Sequence, residues 1–550
     1  MFKKIKSSLS LTIFAGILSA LPVRAADKIL LTYGPLGFSL PVASLEVYAK
    51  NGTVDSELSF YLNNLSSKDR EKFKEVLTKK IPLDPVMTSR FLNSAIGERF
   101  MSNIGSLMTI EGNINGKYAI RGAIVQAAFE PQGFTLLGFF KKFPTNIQFQ
   151  GEKLLGLSKG VSLITQATDL LVDKMHQWTA DEASLVKPPV DFAAMPDLRR
   201  PGKYQFTKEI WQLNDSARNR QLYVIVYKPT ITQEQKIPVI VVSHGFASKP
   251  EDFEEQAQHL ASYGFLVALP QHPGSDYQYA KDTLEGYHRN TFDVNDFINR
   301  PLDLSYVLDE LGRRNQSQFA GKLNLDSVGA FGHSFGGYTV FALAGARIDF
   351  DYLSEQCSKD YGMFDNALLL ECRALELPRK DYNFRDKRVV AAMGLNPVNR
   401  AIYGEKGIKE VNIPVLIGSG SYDPATPPIF EQIKTFTWLK EPIKYLVLAE
   451  GQAHVDFSKM DAGLTSAVES MANVKLPDPA DLHNYFYAIS TAFSQVYLAQ
   501  NKDYLPYLNA SYAQYLSKGD KFKLGFISAA SSEKLSQQIE SFKAANNIQR

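Results

Sequence analysis

Three side chains far apart in the chain have the types that acyl transfer requires. They are Ser334 in Gly332-His333-Ser334-Phe335-Gly336-Gly337, Asp423 in Ser421-Tyr422-Asp423-Pro424, and His454 in Gly451-Gln452-Ala453-His454. A serine hydroxyl is a poor nucleophile until a base takes its proton. An imidazole can take that proton and return it to the leaving group, and a carboxylate can fix the imidazole's tautomer and stabilise its cation. Each glycine in a strand or helix costs about 0.5–1 kcal/mol relative to alanine, so three around one serine predict a backbone that needs them. A G-x-S-x-G at a strand-to-helix junction holds its serine on a sharp turn above the sheet. Side chains at Gly332 and Gly336 are expected to collide with the neighbouring helix and strand, and Gly337 adds clearance. Upstream, "VIVVSHGFAS" ends a strand at His244-Gly245-Phe246. The backbone N–H groups of Phe246 and Phe335 are therefore the candidate oxyanion hole.

Each assignment has a competitor. G-x-S-x-G occurs a second time, at Gly156-Leu157-Ser158-Lys159-Gly160, but "QFQGEKLL" before it is no buried strand. That copy reads as a loop or helix boundary. Asp423 precedes a proline and could be a turn residue; Asp456, just past His454, is the rival acid. His333 adjoins the serine and is expected to point away from it, and His483 belongs to a closing helix. His272, in "LPQHPGSD" at a strand end, is a candidate for the pocket lining, with burial and solvation equally open.

The elements that position these residues begin near Gly202. "KYQFTKEIWQL" and "RQLYVIVYKP" flank "NDSARN" as a hairpin, and six apolar runs follow, from "IPVIVVS" to "KYLVLAE". Helical patterns between them predict an α/β fold with an eight-stranded, mostly parallel sheet and helices on both faces. Ser334, Asp423 and His454 each fall just past a strand's C-terminal end, where such sheets carry their sites. Residues 26–200 read as a mainly helical N-terminal domain ending in a proline-rich linker, 187–202. Residues 201–500 are the sheet domain, and 501–550 a C-terminal tail without an assigned role. Lys3, Lys4 and Lys6, an apolar stretch from Leu9 to Val23, and Val23-Arg24-Ala25 predict a cleaved signal peptide over 1–25 and export to the periplasm or beyond.

The formal charge is +2, and no basic block suggests nucleic acid. No metal-ligand spacing, phosphate loop or dinucleotide fingerprint appears, so no cofactor or metal is assigned. Cys357 and Cys372 are the only cysteines and form a disulfide candidate if the chain is exported, the alternative being two buried thiols. They lie in a long connection, about 350–385, that is a candidate lid. Aromatic residues beside Lys141 and Lys142 in "FTLLGFFKKFP" allow transient membrane-surface contact, but a packed helix with a solvated basic end is the favoured reading.

With "SHGF", "GHSFGG", "SYDPATP" and "GQAHVDF" in place, residues 202–500 resemble the α/β-hydrolases, specifically the platelet-activating-factor acetylhydrolase and dienelactone-hydrolase-like branch. The resemblance implies the triad roles for Ser334, Asp423 and His454 and the oxyanion roles for Phe246 and Phe335. A serine nucleophile, where dienelactone hydrolases proper have cysteine, favours ester hydrolysis. Residues 26–200, through "YGPLGFSLPVASLEVYAKNG" and "FLNSAIGERFMSNIG", are similar to an uncharacterised N-terminal domain of cyanobacterial hydrolases. The expected function is an exported serine esterase acting on a small-molecule or lipid ester, by resemblance a short-acyl phospholipid ester. The alternatives are a general short-chain lipase or polyester-type hydrolase, and a non-catalytic binding protein on a hydrolase scaffold. No protein partner is predicted.

Overall fold

The computed structural model describes residues 26–34, 36–63, 65–231, 234–359, 364–454 and 477–548. The expected signal peptide and Asp456 lie outside these residues. The chain divides into two compact units. One contains the described residues up to Lys159 together with Thr283–Asn290, and the other contains Gly160–Asp282 and the residues from Thr291 onward.

Helices dominate the first unit, but they pack with a five-stranded sheet among the described residues. Its strands are β1 (Lys28–Tyr33), β2 (Leu36–Pro41), β3 (Met108–Ile110), β4 (Ile114–Asn115) and β5 (Ile147–Gln150), in the order β2-β1-β5-β3-β4. The last three strands are two to four residues long, too short for a period-two pattern to register. "FLNSAIGERFMSNIGSLM", which reads as one helix, is broken: one helix ends at Leu92, and Ser94 caps the next, Ala95–Leu107, by accepting from the Gly97 N–H. The helix Leu136–Lys142 turns Phe139 and Phe140 inward, while Lys141 and Lys142 pair with Glu46 and Glu130, each at 2.6 Å. That is the packed-helix arrangement. Leu58, Leu77, Met101, Phe143 and Ile147 complete this core.

The second unit is built on a nine-stranded sheet among the described residues. Its strands are β6 (Phe206–Asp215), β7 (Arg220–Pro229), β8 (Ile237–Ser243), β9 (Leu266–Pro270), β10 (Leu323–His333), β11 (Val389–Leu395), β12 (Val415–Gly420), β13 (Lys444–Ala449) and β14 (Leu524–Ser528). The order is β14-β13-β12-β11-β10-β8-β9-β7-β6. From β9 to β13 every neighbouring pair is parallel, and β6, β7 and β14 close the two edges in antiparallel pairs. The expected eight strands are β6 to β13. The ninth comes from the supposed tail: β14 pairs with β13, and Phe526 and Ile527 are buried.

Two further expectations are corrected. The proline-rich run 187–202 is no free linker, because Phe192 and Leu198 insert into the sheet's core and Tyr507 donates to the Pro196 carbonyl. The second G-x-S-x-G lies inside the helix Gly151–Ser184 rather than at its boundary. Nothing lies within 4 Å of where a Gly156 Cβ would be, and the surrounding Glu, Lys and Leu residues outweigh the local glycine penalty. Among the described residues no helix is long and apolar enough to cross a membrane.

Candidate active site

Strand β10 ends at His333, and the helix Phe335–Ala344 begins two residues later. Ser334 between them has φ 55° and ψ −117°, a conformation that a residue with a side chain rarely adopts. It is held there from both sides. Its N–H donates to the Leu395 carbonyl at 2.9 Å, and its carbonyl accepts from Val398 N–H at 3.1 Å. The glycines have the reasons the sequence suggested: a Cβ on Gly332 would overlap the Gly336 carbonyl, and one on Gly336 would overlap the Ser243 carbonyl.

The three chemically competent side chains meet at this turn. His454 Nε2 lies 2.9 Å from Ser334 Oγ, and His454 Nδ1 lies 2.7 Å from Asp423 Oδ2. Asp423 is fixed by its own loop. Its Oδ1 accepts the N–H groups of Ala425 and Thr426 at 2.8 and 2.9 Å, and Thr426 Oγ1 donates to Oδ2 at 2.6 Å. The proline that made Asp423 look like a turn residue belongs to this turn, which also immobilises the carboxylate. The geometry matches a relay in which the acid holds Nδ1–H and Nε2 faces the hydroxyl as a base.

Two residues outside the predicted set hold His454. Asn396, in the left-handed region at φ 42°, donates Nδ2 to the carbonyls of Ala453 and His454 at 3.4 and 3.3 Å. The loop carrying His454 folds against His333, whose Nε2 donates to the His454 carbonyl at 2.8 Å. Burial, followed by the neighbouring His454, pushes the His333 imidazole down to about 3, so it is a neutral support. His483 sits on the helix Pro479–Tyr497, and His272 is fully buried.

The proposed oxyanion donors flank the serine. The loop His244-Gly245-Phe246 lies against the turn, since a Cβ on Gly245 would come 3.4 Å from the Ser334 Cβ. Phe335 N–H stands at the first position of the helix Phe335–Ala344, where no earlier carbonyl of that helix can accept it. The rings of Phe246 and Phe335 both pack edge-on to Phe292, at 5.7 and 5.8 Å between centroids.

The candidate lid region forms the helix Phe350–Ser358, a short turn of helix at Leu368–Glu371 and a tighter turn at Cys372–Glu376. Cys357 and Cys372 are joined in a disulfide across a separation of 15 residues. The segment reaches the acid loop through Asn366, whose Nδ2 donates to the Pro424 carbonyl at 2.8 Å. It is also pinned from behind. Asp365 accepts from Arg400 at 2.8 Å, Glu371 caps the N–H groups of Ala401 and Ile402, and Glu431 caps those of Asn399 and Arg400. Three buried carboxyls thus face one guanidinium. Burial pushes Glu431 up to about 7 and Glu371 well above its ordinary range. Among the described residues no group of three or more His, Cys, Asp or Glu side chains could hold a metal ion.

The second unit has an α/β-hydrolase fold, and two family models match parts of the chain. A model described as an alpha/beta hydrolase of unknown function (DUF1400) matches residues 25–150, and a chlorophyllase model matches residues 196–354. The second match spans the hairpin, the Phe246 loop and the Ser334 turn. The first falls on the N-terminal unit. No curated protein matches the chain significantly. Together these findings support a hydrolase of the ester-cleaving kind.

Proposed function

We propose that the protein is a serine esterase that works through an acyl-enzyme. The observation that carries this reading is the Asp423–His454–Ser334 chain of contacts on a strained strand-to-helix turn. His454 Nε2 takes the hydroxyl proton as Ser334 Oγ bonds to the ester carbonyl carbon. The negative charge moves to the carbonyl oxygen, which the Phe246 and Phe335 N–H groups receive, each worth roughly 2.7–4 kcal/mol by the usual cost of losing such a donor. The carbon–oxygen bond to the alcohol breaks, and the alcohol leaves with the proton from His454. Water then repeats the sequence in reverse to release the acid.

For substrate, the motifs "GHSFGG" and "SHGF" support a short-acyl phospholipid ester of the kind cleaved by platelet-activating-factor acetylhydrolases. The match of residues 196–354 favours a second reading, in which the ester belongs to a chlorophyll. Parallel assays on an acetyl-glycerophospholipid, its long-acyl counterpart and chlorophyll separate the two. The first reading expects kcat/KM to be highest on the acetyl lipid; preferential chlorophyll turnover would transfer the assignment to the second. Export through a leader at 1–25 is part of the proposal, and N-terminal sequencing of the mature protein should begin near residue 26.

A further inference from the structure

A second serine–histidine–aspartate set lies behind the Phe246 loop. Ser243, the last residue of β8, places Oγ 2.9 Å from His272 Nε2, and His272 Nδ1 lies 3.0 Å from Asp303 Oδ2. All three side chains are fully buried, so none can touch a substrate. Asp303 accepts at Oδ1 from Arg218 Nη1 and Arg220 Nε, at 2.9 and 2.8 Å, which orients it, and the two guanidiniums favour its anion against the upward push of burial. An anionic Asp303 selects the His272 tautomer that carries hydrogen on Nδ1, leaving Nε2 to accept from the Ser243 hydroxyl. Burial holds the His272 imidazole well below its ordinary range, with Arg300, Arg220 and Arg218 adding to the effect, so it stays neutral.

The same residues grip the loop backbone. His272 N–H donates to His244 Nε2 at 3.1 Å, and His244 Nδ1 donates to the Gly245 carbonyl at 2.8 Å. Ala247 N–H donates to the Ser275 carbonyl at 2.9 Å, while Ser275 Oγ donates to Asp296 at 2.6 Å. Arg300 is fully buried. It donates Nη2 to the His244 carbonyl, and its guanidinium lies 4.4 Å from the centre of the Phe335 ring. Nε and Nη1 of Arg300 have no hydrogen-bond partner among the described residues. One guanidinium therefore spends its single hydrogen bond on the loop that carries one proposed oxyanion donor and packs on the residue that carries the other.

We propose that Ser243, His272, Asp303 and Arg300 are positioning residues for the oxyanion hole, a buried relay that presets the Phe246 N–H relative to that of Phe335. This rests on the serine-esterase reading and deepens it. A preset donor stabilises charge that develops only in the transition state, so its loss lowers kcat and leaves KM nearly unchanged. Ser243→Ala removes one buried hydroxyl and should lower kcat about tenfold on a short-acyl nitrophenyl ester, with KM within about twofold. Arg300→Met should lower it about a hundredfold, and Arg300→Lys should restore part of the loss by supplying a donor to the His244 carbonyl. The inhibition constant of phenylboronic acid, whose tetrahedral adduct places an oxygen in the hole, should rise by the same factor as kcat falls. Melting temperature is read alongside; should Arg300→Met fail to fold, Ser243→Ala and Arg300→Lys carry the test. Ser243→Ala and Arg300→Lys enzymes with wild-type kcat and boronate affinity would overturn the positioning role, as would losses appearing wholly in KM. A wild-type enzyme inert to both ester and boronate would instead overturn the esterase reading itself.

Discussion

Replacing Asp423 by asparagine separates a triad from a chance meeting of polar groups. The carboxylate makes two kinds of contact: Oδ1 accepts two backbone N–H groups, and Oδ2 accepts from Thr426 and lies against His454 Nδ1. In Asp423→Asn the amide oxygen must occupy the Oδ1 position, because an NH2 there would face the donors of Ala425 and Thr426. The NH2 group is then directed at His454 Nδ1, and as a donor it selects the tautomer with hydrogen on Nε2. That hydrogen points at Ser334 Oγ, so the base is lost although the geometry survives. A wrong tautomer of this kind costs about 10⁴ in kcat, or about 5.4 kcal/mol at 1.36 kcal/mol per decade. The assay is steady-state hydrolysis of a short-acyl nitrophenyl ester, with Asp456→Asn as the control for the rival acid. KM should stay near the wild-type value, and the melting temperature should change little because both backbone N–H groups keep an acceptor. Turnover of Asp423→Asn within tenfold of wild type, with activity lost in Asp456→Asn, would refute the reasoning.

Two other outcomes concern the segment behind the acid loop. Replacing Cys357 and Cys372 together by serine should lower unfolding stability by about 3 kcal/mol, the chain-entropy value for a loop of this size. Urea denaturation under non-reducing conditions measures it, and unchanged stability would contradict a closed bridge in the folded protein. Glu371 sits among Asp365, Glu431, Tyr352 and Arg400, and its folded-state pKa is raised, first by burial and then by Glu431. Its favourable contribution is therefore complete below about pH 4.5 and is lost as pH rises. Its share of the stability should fall as pH rises above that, and Glu371→Gln should remove on the order of 1 kcal/mol per pH unit from the slope there. Equal slopes for wild type and Glu371→Gln in denaturation at several pH values would contradict the assignment.

Much of the sheet was legible because its central strands are buried on both faces and read as continuous apolar runs between helical patterns. The site was legible for a related reason: each of its three side chains stands just past one of those runs. Strand β14 was missed because "LGFIS" is short, follows the charged stretch "SKGDKFK", and finds its partner β13 far away in sequence. The long helix Gly151–Ser184 was obscured at its start by glycines that its surroundings tolerate. The buried relay had no sequence signal at all. Ser243, His272 and Asp303 belong to two strand ends and a helix interior, and only the packing of β8 beside β9 and the helix Asp296–Phe319 brings them together. Asn396 and His333 were invisible as supports of His454 for the same reason, since both act on its backbone carbonyl.

The proposed activity depends most on Ser334 being a nucleophile whose proton passes to His454. Incubation with a fluorophosphonate, followed by intact mass and peptide mapping, tests it directly. One adduct per chain is expected on the peptide containing Ser334, absent in Ser334→Ala and formed far more slowly in His454→Ala. An unmodified wild-type chain, or an adduct that persists in Ser334→Ala, would contradict it.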